Sequence, residues 1–169
     1  MYLRHRHLVT GLILGFLSLA SYSLEASIAT NFPLSVSHFF VLFAALAAGP
    51  EAALIAFSVG SFPSTFFDEG NFRYIFQGAV LTATVLASRK WLEEIPPYFS
   101  VLLVWLLVLI PSHIFFPWVH WHRSVHTHFL GLQALVDIFL VAFASMCTYI
   151  PWVYENILGK PYQPNQQRL

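Results

Sequence analysis

Apolar residues fall in six runs along the chain, at about 8–24, 35–48, 51–67, 72–88, 99–116 and 128–150, separated by short polar or Pro/Gly-containing breaks. A helix needs roughly 20 apolar residues to cross a hydrocarbon core. The pattern therefore predicts an all-α fold, a polytopic transmembrane helical bundle of about six helices over residues 1–150, followed by a cytoplasmic tail or linker at 151–169.

One break is chemically explicit. Gly49-Pro50 in "AAGPEAAL" interrupts what would otherwise be a single run from 35 to 67. Proline cannot continue a helix but suits the first turn of a new one, so a tight helical hairpin is expected. Glu51 then falls in the first turn of the third helix, where a carboxylate complements the helix dipole. Small residues recur at four-residue spacing: Gly11 and Gly15 in the first run, Ala52, Ala56, Gly60 and Ser64 in the third, Ala79, Ala83 and Ala87 in the fourth. Such stripes let helix backbones approach closely. Packing within the chain is the expectation for the third and fourth runs, whereas Gly11 and Gly15 suit a homodimer face equally well.

Composition strengthens the membrane reading. The chain is 57% hydrophobic and 9% charged, with a mean hydropathy of +0.67, which excludes an ordinary water-soluble domain. Formal charge is zero and no basic run occurs, so nucleic acid is excluded as a partner. The single Cys147 forms no internal disulfide or CxxC pair and reads as a buried thiol. The start "MYLRHRHLVTGLILGFLSLASYS" has the basic and apolar regions of a signal peptide. Tyr22, Leu24 and Glu25 crowd the cleavage position, so a retained first helix is expected. Placing the N-terminus inside puts Arg4, Arg6, Arg89, Lys90, Lys160 and Arg168 on the cytoplasmic side and only Arg73 and Arg123 outside. The predicted location is a bacterial inner membrane, crossed several times, with both termini cytoplasmic.

Polar groups at membrane depth are costly and mark function by default. Asp137 in "LQALVDIFLVAF" has Gln133 one turn away on the same face. It is expected to face the bundle interior, either satisfied by a Ser, Thr or Tyr of a neighbouring helix or serving a ligand or proton. His38 and Glu25 flank the first outer loop, and Arg73 and Gln77 form an i, i+4 pair opening the fourth helix. If the outer ends converge, these groups and Phe39, Phe40, Phe72 and Phe76 would line a ligand pocket. The alternative is that Arg73 snorkels to headgroups and the phenylalanines pack in lipid or core.

The stretch "HIFFPWVHWHRSVHTHFLG" holds five of the eight histidines. His120, His122, His126 and His128 have spacings that suit imidazole ligation of zinc, copper or nickel. Two other readings remain open: an interfacial belt with Trp118 and Trp121, or a group titrating as a proton sensor. A transition metal is thus the one candidate cofactor. No GxSxG, P-loop, paired inward carboxylates or HExxH box occurs, and the chain is read as a non-enzyme.

The runs "FPLSVSHFFVLFAALAAGPEAALIAFSVGSFPSTFF", "FRYIFQGAVLTATVLASRKW" and "YIPWVYENILGKPYQPNQQRL" resemble the N-terminal polytopic membrane sensor module of bacterial sensor histidine kinases and diguanylate cyclases. The resemblance implies signal input to a cytoplasmic output domain supplied in cis beyond residue 169 or in trans by a partner. It also implies an unidentified small ligand or metal as the stimulus. The same hairpin style resembles the substrate-binding subunits of energy-coupling-factor transporters, where Gly11 and Gly15 would offer a small-residue face for a coupling subunit. It resembles rod-shape-determining membrane scaffolds too.

Overall fold

The computed structural model describes residues 2–28, 36–66, 72–91, 95–115 and 127–156, and side chains within 6–24, 36–62, 75–88, 95–112, 131–153 and 155–156. Over these residues the chain is helical, as the hydropathy runs predict, with no strand among them. In order come α1 (Tyr2–Ile28), α2 (Ser37–Ala47), α3 (Pro50–Phe66), α4 (Phe72–Trp91), α5 (Pro97–Val104), a π-helical turn (Trp105–Leu109), α6 (Ile110–Phe115), α7 (Thr127–Thr148) and α8 (Pro151–Asn156).

The α2–α3 hairpin forms where Gly49-Pro50 predicts it. Gly49 takes φ 93°, a conformation open to glycine at little cost. Its N–H closes the end of α2 on the Ala44 carbonyl at 3.0 Å, while its own carbonyl accepts from Ala53 at 3.0 Å and so opens α3. Pro50 needs no hydrogen-bond partner at this first position, and Glu51 occupies the first turn.

Helix α2 is central because it is apolar all round. One side contributes Val41, Phe43, Ala44 and Ala47 to a cluster with Leu14 of α1, Ala52 and Ala56 of α3, Ala144 of α7 and Val153 of α8. The other side contributes Leu42 and Ala45 to a second cluster with Ala53, Leu81, Val85, Val101, Trp105, Leu109, Ala134 and Val141. Helices α2, α3 and α7 therefore each contribute to both cores.

The Gly11/Gly15 stripe packs inside the chain. A Cβ on Gly11 would lie 2.8 Å from the Ala52 carbonyl oxygen, and one on Gly15 would lie 2.7 Å from Val59 Cβ. One turn further along, a Cβ on Gly60 would collide with Ser18. The ascending register, Gly11 to Ala52, Gly15 to Ala56 and Val59, Ser18 to Gly60, makes α1 and α3 parallel neighbours. Within the chain this face is covered by α3. The fourth-run stripe departs from expectation in the other sense: Ala79 and Ala83 are exposed. Gln77, Leu81, Val85 and Ser88 form the buried face of α4 instead, because residues four apart share a face and this set carries the bulk that fills the second core.

One end of the molecule gathers the start of α1, the α2–α3 turn and α8, where the Arg6 guanidinium donates to the Asn156 carbonyl at 2.8 Å. The opposite end gathers the starts of α2, α4 and α7. Two described helical windows, Arg6–Leu24 and Gly131–Thr148, are long and apolar enough to cross a membrane. Ser37–Ala47, Pro50–Phe62, Ile75–Ser88 and Pro97–Ser112 are apolar but shorter. Large apolar side chains face outward on α1 (Ile13, Phe16), on the π turn (Leu107, 73% exposed) and on α7 (Leu135, Phe139, Met146).

Candidate functional site: a buried polar cluster on Asp137

Asp137 is the tenth residue after Thr127 in α7, about 15 Å along the helix axis at 1.5 Å per residue. Its side chain is completely buried (0% exposed). Two helices supply donors to one carboxylate oxygen. Gln77 Nε2 of α4 donates to Oδ2 at 2.7 Å, and Trp105 Nε1, at the head of the π turn, donates to the same oxygen at 3.1 Å. Gln133, one turn before Asp137 on α7, donates through Nε2 to Gln77 Oε1 at 2.9 Å. The chain of donors runs from Gln133 through Gln77 and ends on the carboxylate.

Each member is held by ordinary helical geometry. Gln133 and Asp137 share a face of α7 at i, i+4 spacing. Gln77 lies on the buried face of α4 with Leu81 and Val85. Trp105 is aimed by the π turn, in which the Ile110 N–H reaches back five residues to the Trp105 carbonyl. Pro111 follows at once, lacks an N–H and clashes with the carbonyl four residues earlier, so it favours a wider turn at this place. Ser112 Oγ then donates to the Leu109 carbonyl at 2.8 Å, the kind of hydroxyl repair that lets a helix irregularity persist in apolar surroundings.

The other sequence-derived candidates divide into three groups. His38 is buried at the start of α2, and its ring fills the notch left by Gly78, where a Cβ would lie 2.9 Å from Nε2 and 3.1 Å from Phe57 Cε2. It thus neighbours Gln77 in sequence terms along α4. Glu25 lies in α1 and Arg73 in α4, with side chains outside the described set, as is that of Phe72. His120, His122 and His126 lie outside the described residues, and His128 is in the first turn of α7 with its side chain outside them. Among the described residues, no group of three His, Cys, Asp or Glu side chains is placed to hold a metal ion.

The expected aromatic wall is arranged differently. Phe39 packs on Phe40 at 5.3 Å, on Phe43 at 5.9 Å and on Phe143 of α7 at 5.5 Å, so this seam joins α2 to α7. Phe39 and Phe40 pack against the first core, while Phe76 packs against the second. The donors to Asp137 Oδ2 are an amide and an indole, where a Ser, Thr or Tyr hydroxyl was one expectation. Trp105 was missed in the sequence because a tryptophan within an apolar run reads as core; its position six residues before an intrahelical proline is the signal that could have marked it.

At the other end of the molecule His7, Ala48, Pro50 and Glu51 line an open cleft of about 360 Å³. Compared with known proteins, the chain matches no family model, no curated protein and no solved structure.

Proposed function

We propose that the chain is a six-span inner-membrane protein with cytoplasmic termini that acts as a sensory input module, α7 being the element that carries the signal to α8. The observation that supports this most directly is a completely buried carboxylate on α7, tied to α4 and to the π turn, in a molecule whose described helices turn large apolar side chains outward. Lipid offers no hydrophobic drive for helix association, so polar groups that join helices belong inside and apolar ones outside. A change at the cluster alters how α4 and α5 hold α7. Helix α8 sits directly beyond it, with Val153 in the core and the Asn156 carbonyl held by Arg6.

The transport-subunit reading is weaker, because the Gly11/Gly15 face that would meet a coupling subunit is covered by α3. Two experiments test the proposal. Reporter fusions in each connecting segment are expected to place the ends of α1 and α3 outside, and the α2–α3 turn and α8 inside. Affinity capture from native membranes is expected to recover a histidine kinase or diguanylate cyclase; recovery of a coupling protein with ATPases would replace the sensory reading with the transport one.

A further inference from the structure

We infer that Asp137 is a proton-binding site reached from the outer face alone, so that the stimulus read by the input module is a proton. The inference rests on the proposed membrane orientation and names the ligand that this reading leaves open.

The hydrogen bonds of the cluster favour a proton over a larger ligand. Gln133, Gln77, Asp137 and Trp105 touch one another directly through hydrogen bonds of 2.7 to 3.1 Å, so no molecule fits between them. A metal cation needs several oxygens turned toward it. Here the groups on Oδ2 are N–H donors, which repel a cation, and Gln77 Oε1 already accepts from Gln133. An anion is repelled by the carboxylate itself. A proton needs no volume and adds to a carboxylate oxygen.

Polar groups around Asp137 are distributed unevenly along the helix axes. Towards the starts of α4 and α7, the outer end in the proposed topology, the cluster continues as Gln77 and Gln133. Towards the inner end, Leu81, Val85, Val101 and Val141 are all completely buried and form an apolar layer beneath Asp137. Three hydroxyls at that level do not extend the polar path, since each bonds its own helix: Thr82 to the Gly78 carbonyl at 2.7 Å, Ser88 to Val85 at 2.9 Å and Ser145 to Val141 at 2.8 Å; a fourth, Ser100 Oγ on α5, is buried without a partner and has no bond that links it to the cluster.

Few other ionisable groups belong to the surrounding elements. Helix α2 supplies His38, α4 supplies Arg73 one turn before Gln77 and Arg89 and Lys90 at its inner end, α6 supplies His113, and α7 supplies His128. Helix α5 and the π turn carry no Asp, Glu, Lys, Arg or His, and the only such residue of α3, Glu51, lies at the inner end. Helix α8 adds only the exposed Glu155. In the step itself, bulk water on the outer side supplies the proton, an O–H bond forms on the carboxylate and its charge goes from minus one to zero. The bonds from Gln77 and Trp105 then lose their charge assistance, which makes them roughly half as strong. α4 and α5 hold α7 less firmly.

The test exploits the fact that Asp68 and Asp137 are the only aspartates in the chain. Full-length Asp68→Asn protein carrying aspartate isotopically labelled at the side-chain carboxyl has one labelled group, Asp137, with the cluster untouched. In sealed vesicles of scored orientation, acidifying the outer side is expected to convert the labelled carboxylate infrared band into a carboxylic-acid band. Acidifying the inner side alone is expected to leave it unchanged. Trp105→Phe should shift that band by removing a donor, and Asp137→Asn should abolish it. A band that never converts, that follows inner pH, or that follows sodium at constant pH overturns the inference. If it never converts while reporter fusions still give six spans, the proton site alone falls; if the fusions give another topology, the orientation falls with it.

Discussion

Replacing Asp137 by Asn or by Leu separates two contributions of the carboxylate. Asparagine removes the charge but keeps a carbonyl oxygen whose two lone pairs serve both N–H groups, which end on one oxygen in the parent. Leucine leaves Gln77 Nε2 and Trp105 Nε1 without that acceptor. Hydrogen bonds between membrane helices contribute about 0.6 kcal/mol on average and up to about 1.7. Asp137→Leu is therefore expected to cost about 1–3 kcal/mol and Asp137→Asn less than about 1, measured by denaturant titration of the purified protein in detergent. A leucine variant as stable as the parent would show that the cluster adds nothing to stability. Asp137, Gln133 and Gln77 are legible in the sequence because each is a polar residue inside an apolar run, where it must find a partner. Which residue answers which is not legible, since pairing Gln77 with Asp137 across 60 positions depends on how α4 and α7 pack. Trp105 is invisible for a related reason: its indole is both core filler and hydrogen-bond donor.

Individual helices differ in how far pattern alone describes them. The hairpin is legible because Gly49 and Pro50 act through local backbone geometry. The small-residue stripes are not equally legible, because a stripe says that a close approach is feasible and not which neighbour makes it. Glycine substitutions expose the difference. Gly131 has nothing within 4 Å of a built Cβ, so Gly131→Ala is expected to stabilise the protein by about 1 kcal/mol through helix propensity. Gly15→Ala drives a methyl group to 2.7 Å from Val59 Cβ and 3.2 Å from Ala56 Cα, and is expected to destabilise by about 1–3 kcal/mol through overpacking. Equal effects in thermal unfolding would contradict the α1–α3 packing. The fifth run is another case, since a continuous span predicted at 99–116 is broken by the π turn. Pro111→Ala restores an N–H and should let that turn tighten towards an α-helix. Removing one residue's worth of excess turn rotates α5 against α6 by about 100° and turns the Trp105 indole away from Asp137. A change in Trp105 emission, isolated by difference from the Trp105→Phe background, is the expected outcome.

At the scale of the whole molecule, the two cores are joined by α2, α3 and α7, and the start of α1 is tied to α8 by the Arg6–Asn156 bond. The tight connection after α7, with Tyr149 N–H bonded to the Met146 carbonyl at 3.0 Å and Ile150 N–H to Cys147 at 3.2 Å, lets α8 begin at Pro151 and fold back so that Val153 enters the first core. Trp152 points outward at 65% exposure, a placement suited to the headgroup region in the proposed topology. Arg6 then caps the C-terminus of α8, where a cation complements the exposed carbonyls. Since this bond is exposed, Arg6→Gln is expected to change global stability by less than about 1 kcal/mol. Its effect should be local: amide exchange across 151–156 should quicken while exchange in α1 and α7 stays as it was. If α8 instead keeps its protection in the variant, Val153 alone holds it. Any signal leaving α7 would then pass to the tail through the first core and without the Arg6 bond.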